Sequence, residues 1–146
     1  MRLIASLPCE KIITDAKGTP SLITIITAVE VGPIPAEGLP VNAVGPTPWW
    51  VYTLWEGDES DKGIENVQKI VIYWPDGKEL TNNATTFKIG APEKPLLKHS
   101  ITSQFLGFPL GQQGDVKIRI WIERSEALFG EVHDYTFTVK HVPART

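Results

Sequence analysis

The chain holds one cysteine, one methionine and three histidines in 146 residues, and each shortage closes off a class of chemistry. A lone thiol, Cys9, forms no internal disulfide, so nothing covalent points to an oxidising compartment. His99, His133 and His141 are the whole supply of near-neutral proton carriers, and none stands beside a second ligand at metal spacing. His133 and His141, on one extended run, would lie roughly 26 Å apart at ~3.3 Å per residue. No metal and no other cofactor is expected.

Basic clusters are also missing. Lys and Arg number 14 against 17 Asp and Glu, a formal charge of −3, so nucleic acid, whose affinity comes largely from neutralised phosphates, is not an expected partner. No apolar run nears the ~20 residues of a spanning helix, and no membrane partner is expected. Residues 1–9 place Arg2 ahead of Leu3, Ile4 and Ala5, but Ser6 and Pro8 interrupt the run before Cys9. That does not read as an export signal, and the expected location is cytoplasmic.

Motifs for catalysis are absent too. There is no Gly-x-Ser-x-Gly, no Gly-x-x-x-x-Gly-Lys-Ser/Thr and no Gly-x-Gly-x-x-Gly. Asp58-Glu59-Ser60-Asp61-Lys62-Gly63 has a glycine where a calcium loop wants one, but Lys62 takes a ligand place and Lys69 stands where the bidentate Glu belongs. A charged, solvated turn over 56–62 is the better reading. Cys9 reads as a small buried residue. The chain is not expected to be an enzyme.

What is present is strand chemistry. Ile, Val and Thr number 15, 11 and 13, whereas Leu, Ala and Met together make 21. Twelve prolines and twelve glycines are spread between the apolar runs. A first strand covers 3–7 and 10–14, broken at Pro8, and a second, apolar on both faces and therefore central, covers 21–31. Five prolines and three glycines make 32–48 a long loop. Strands follow at 49–55 and 67–74, then a turn at 75–78 and a short strand at 85–89. A further strand starts at His99, and a hairpin from 115–123 and 131–141 closes the chain. This pattern predicts one domain, residues 1–146, folded as an all-β, immunoglobulin-like sandwich of about seven strands. Its expected core includes Ile23, Ile25, Val51, Ile70, Ile72, Ile118, Ile120 and Val139.

The aromatic surplus bears on function. Trp50, Tyr52 and Leu54 share one strand face and Trp49, Val51, Thr53 and Trp55 the other, so one of the two must lie outside the core. Trp121 falls on the opposite face from Val116, Ile118, Ile120 and Ile122, among Lys117, Arg119 and Glu123. The expected activity is a non-catalytic binding or structural module working through a protein partner or as a homo-oligomer, with Trp121, Trp49, Trp55, Arg119 and Glu123 as the partner-binding residues. A bacterial or phage assembly component fits that description. The rival from another class is a carbohydrate-binding module in which Trp49, Trp55 and Trp121 form a stacking platform, with Gln112, Gln113, Asp115 and Glu123 as polar neighbours.

The opening Ala5-Ser6-Leu7-Pro8-Cys9-Glu10, then Gly18-Thr19-Pro20-Ser21-Leu22-Ile23 and Pro33-Ile34-Pro35, together with Phe108-Pro109-Leu110, Gly114-Asp115-Val116-Lys117-Ile118 and Tyr135-Thr136-Phe137-Thr138-Val139, resembles the DUF6941 family of small bacterial proteins of unknown function. The resemblance touches both ends and the order of elements. Thr24 stands where that family has a glycine, and Val116 where it has a tyrosine. It implies an immunoglobulin-like sandwich and brings no catalytic residues.

Overall fold

The computed structural model describes residues 1–93 and 95–144, and among them eleven strands form. A four-stranded sheet runs in the order β2 (Pro20–Ile25), β1 (Arg2–Thr14), β5 (Trp49–Glu56), β8 (Lys98–Phe105). A five-stranded sheet runs in the order β3 (Ala28–Ile34), β11 (Ala127–Pro143), β10 (Gly114–Arg124), β6 (Asn66–Tyr73), β7 (Glu79–Phe87). Two short strands, β4 (Val44–Gly45) and β9 (Phe108–Pro109), pair with each other. Every pairing is antiparallel except that of β3 with β11. β6, β10 and β11 adjoin in one sheet and β5 and β8 in the other, which is the immunoglobulin-like arrangement. The strands that the sequence pattern does not predict are β3, separate from β2, and the β4–β9 pair.

Alternation builds the core. Trp49, Val51 and Trp55 of β5 face Ile70 and Ile72 of β6, Val116 through Ile122 at alternate positions of β10, and Phe137 and Val139 of β11, all buried. Trp49 anchors the aromatic end, with ring centroids 5.1 Å from Phe105 and 5.6 Å from Phe137, and its Nε1 donates to the Gly107 carbonyl at 3.2 Å. Toward the other end the interior turns polar. Gln68, fully buried, accepts hydrogen bonds at its Oε1 from Thr53 Oγ1 at 2.6 Å and Trp55 Nε1 at 2.7 Å, both on the opposite sheet.

Six of the eight expected core residues are buried, and Ile23 and Ile25 are not. The predicted single central strand over 21–31 is two edge strands, β2 in one sheet and β3 in the other. Thr24 takes φ 54, and the Ile26 N–H then donates to the Pro8 carbonyl as the chain leaves the four-stranded sheet. Both faces of that segment are apolar because it serves two sheets, with Ile26 turned inward and Ile23 and Ile25 outward.

Pro8 does not break the first strand, which runs unbroken from Arg2 to Thr14. A residue's N–H and C=O point to the same side of a strand. The Pro8 carbonyl receives Ile26, so the missing N–H lies on the side from which β2 departs and costs the ladder little. The acidic turn also departs from expectation. Glu59–Asp61 forms a 3-10 turn capped by Asp58, and Asp61 is buried instead of solvated. Its carboxylate receives Arg124 Nη2 at 2.7 Å and lies 3.6 Å from the Met1 amino group. Burial pushes this carboxyl up, but the Asp58 N–H, Arg124 and the Met1 ammonium outweigh it and hold it below the usual range.

Candidate interaction surface

The outer face of the five-stranded sheet brings together three of the five expected partner-binding residues. β10 pairs with β6 so that Lys117 opposes Tyr73, Arg119 opposes Val71, Trp121 opposes Lys69 and Glu123 opposes Val67. Directly paired residues share a face, so these eight side chains form two parallel rows on the outer face of the sheet, of which Val71 is buried. Trp121 is half-buried, and its Nε1 donates to Glu123 Oε2 at 2.9 Å.

On the other side of β10, β11 changes register. Ile120 opposes His133 and Ile122 opposes Phe129, so 130–132 bulge opposite Trp121. Gly130, with φ 80, permits the turn. Leu128, 57% exposed, pairs with Glu123, and Val132, 46% exposed, belongs to the bulge that faces Trp121. The result is a small apolar island of Trp121, Val132, Leu128 and Val67.

Charged groups ring that island. Arg119 forms a two-pronged pair with Asp134, Nε to Oδ1 at 2.8 Å and Nη2 to Oδ2 at 3.0 Å. The Arg119 guanidinium holds the Asp134 carboxyl below the usual carboxylate range, and Asp134 raises Arg119 in turn. Tyr73 stacks under both cations, with Lys117 Nζ 6.0 Å and Arg119 Cζ 5.6 Å from its ring centroid. An apolar centre with an aromatic anchor and a rim of fixed charges is the anatomy of a protein contact.

Trp49 and Trp55 belong elsewhere. Both are buried, on the inward face of β5, and neither can meet a partner or a sugar. The stacking platform of Trp49, Trp55 and Trp121 therefore does not form: two rings lie inside the sandwich and the third on its outer surface. The exposed face of β5 carries Trp50, Tyr52 and Leu54, each half-buried. Alternation divides the two sets, but it does not tell which set is inside, because both are aromatic.

Of the polar residues offered for a sugar, Gln112 is spent holding loops together. It accepts from Asp76 N–H at 3.1 Å and donates to the Val41 carbonyl and to Asp76 Oδ2, each at 3.1 Å. Gln113 accepts from His141 N–H at 2.9 Å, and Asp115 from Thr138 Oγ1 at 2.7 Å. A cleft of about 260 Å³ opens where β3 and the proline-rich segment separate, walled by Trp49, Ile26, Val29 and Phe108. Among the described residues Glu10 is its one charged lining residue, and no set of polar groups converges there as in a small-molecule site.

Among the described residues no group of three His, Cys, Asp or Glu is placed to hold a metal ion, and no helix is long and apolar enough to cross a membrane. Tyr73, Val67, Leu128 and Val132 are the surface residues that strand-by-strand reading missed. Tyr73 and Val67 enter through pairing between distant strands, which the sequence does not print; Val132, lying with Asp134, Thr136 and Thr138 on one face, was the available signal. No protein-family model matches the chain, and no curated protein is similar to it.

Proposed function

We propose that the chain is a non-catalytic binding module that associates with a protein through the outer face of its five-stranded sheet. The observation that carries this reading is Trp121, an outward tryptophan set beside Val132 and Leu128 and ringed by the Arg119–Asp134 pair, Lys69 and Glu123. Tryptophan is costly to leave wet, and anchors of this type dominate interface energies. Arg119 and Glu123 hold the rim and set orientation. A cytoplasmic setting suits the buried, unpaired Cys9 thiol, whose pKa burial raises and so keeps unreactive. Kinship with the DUF6941 family is part of the same proposal, and one backbone detail is compatible with it. Thr24, where that family has glycine, sits at φ 54, a conformation glycine adopts freely.

The test is photo-crosslinking in the native host, with p-benzoylphenylalanine in place of Trp121 and, as control, in place of exposed Lys88. Position 121 should give discrete crosslinks that Arg119→Ala weakens. Crosslinks no stronger than those from position 88 would remove this reading.

A further inference from the structure

The two outer faces of the sandwich have opposite chemistry. The five-stranded sheet turns Lys69, Lys117, Arg119, Glu123 and Asp134 outward, the polar exterior that an antiparallel sheet presents to water. The four-stranded sheet pairs Trp50 with Cys9, Tyr52 with Leu7 and Leu54 with Ala5, and these outward positions hold no charge. Ile25, 47% exposed, extends the first of these rows onto β2. β1 and β5 are the central strands of their sheet, and β5 is apolar on both faces, the pattern of a strand covered on both sides. The other sheet covers one side; among the described residues no layer covers the other.

The border of this face is polar. β8 sets Gln104, Thr102 and Ser100 beside Trp50, Tyr52 and Leu54. At one end Glu56 accepts from Arg2 at 2.7 Å and lies 3.5 Å from Lys98. At the other end, beyond Cys9, residues 11–14 have β2 as their one paired strand and form a two-stranded arm. The arm extends the face with Lys11, Ile13 and Ile23, the two isoleucines 48% and 40% exposed. An apolar centre with charges confined to its margins is the composition of an interface, and homodimer interfaces are the more apolar kind.

Area and charge indicate what covers it. A monomer of this size exposes about 7,500 Å², whereas this chain exposes 8743 Å². That surplus exceeds the ~800 Å² that each partner contributes to a standard interface. In a two-fold contact the same patch serves both copies. A patch of fixed charges must then match its own pattern after rotation, and a patch neutral at its centre has no such condition to meet. Charge selects among distinct partners, and here it lies on the opposite face. We propose that the outer face of the four-stranded sheet is a homodimer interface, packed on the same face of a second copy with Trp50, Tyr52 and Leu54 at its centre. Sheets stack face to face in this way at ~10 Å. The surface is separate from the Trp121 island and does not depend on what that island binds.

The experiment is sedimentation and light scattering of the purified chain from about 10 nM to about 1 mM, which spans tight to weak dissociation constants. The expected result is a dimer whose dissociation constant rises at least about tenfold in Tyr52→Lys, because the substitution puts a charge at the centre of both copies. Ser100→Glu combined with Thr102→Glu, at exposed positions beside Leu54 and Tyr52, makes the same test should Tyr52→Lys lose its strand signal in circular dichroism. Trp121→Ala should leave the equilibrium unchanged. A monomer throughout, a dimer indifferent to these charges, a dimer dissolved by Trp121→Ala, or growth beyond two copies would overturn the proposal. Crosslinking from position 121 decides the other surface independently.

Discussion

β10 and β2 are both alternating apolar strands, and they end in opposite environments. β10 lies between β6 and β11 with a second sheet across it, and Ile118, Ile120 and Ile122 are sealed in the core. β2 has a neighbour on one side only, and Ile23 and Ile25 stay 40% and 47% exposed. The same residue type thus stabilises the fold in one strand and is left available in the other. Periodicity sets which side chains share a face; the number of neighbouring strands decides whether that face is covered.

Paired truncations measure this difference. Ile120→Ala should cost about 2 to 5 kcal/mol of folding stability in urea denaturation, since transfer and cavity contributions both count. Ile23→Ala in the same assay should stay within about 0.5 kcal/mol at concentrations where the chain is monomeric. Comparable losses would mean that the arm packs in solution as tightly as the core.

The next effect concerns the anchorage of β10, whose final residue, Arg124, bonds both Asp61 and Asn66. Asp61→Ala removes the carboxylate from a largely buried pair and should cost about 3 kcal/mol. Because the Asp61 pKa is lowered on folding, its contribution is present above the unfolded carboxylate value near ~4 and is lost as pH falls through the folded one. Acid denaturation followed by tryptophan fluorescence should therefore shift toward neutral pH when Arg124 is replaced by Met. An unmoved midpoint would mean that the pair contributes nothing to acid stability.

At the base of the arm the expected change has the opposite sign. Thr24→Gly relieves a left-handed backbone that costs a β-branched residue, less the entropy glycine loses on folding, and should raise stability by about 0.5 to 1 kcal/mol. A loss in thermal denaturation would show that the threonine side chain has a contact worth more than the strain. Smallest of all are changes on the outer face. Arg119→Ala should alter stability by about 1 kcal/mol or less, because Asp134 and Arg119 are both more than a third exposed and water screens the pair. A larger loss would make this face a structural element, and its role in association secondary.

Much of the sandwich could be read from one sequence. The strands through Trp49, Ile70, Ile120 and Phe137, the turn at Pro75 and the outward aim of Trp121 follow from a period of two and from turn chemistry. What could not be read depended on contacts between distant segments. Pro8 looks like a break until β2 is seen leaving on its N–H side. Asp61 looks solvated until Arg124 arrives from 63 residues away. Trp49 and Trp50 are equivalent in the sequence, and only the placement of β10 and β11 over one side of β5 separates them. The binding island has the same origin, since its four apolar members come from three strands.

Gln68 gives the core a property that its isoleucines cannot. Apolar side chains of similar size replace one another readily, so two sheets held by them alone could settle in several alignments with little penalty. An amide oxygen receiving Thr53 and Trp55 together is satisfied at one offset only. Sliding either sheet would strand the Trp55 indole N–H in a dry interior, a penalty far above the loss of a van der Waals contact. The polar end of the core acts as an alignment key between the two sheets.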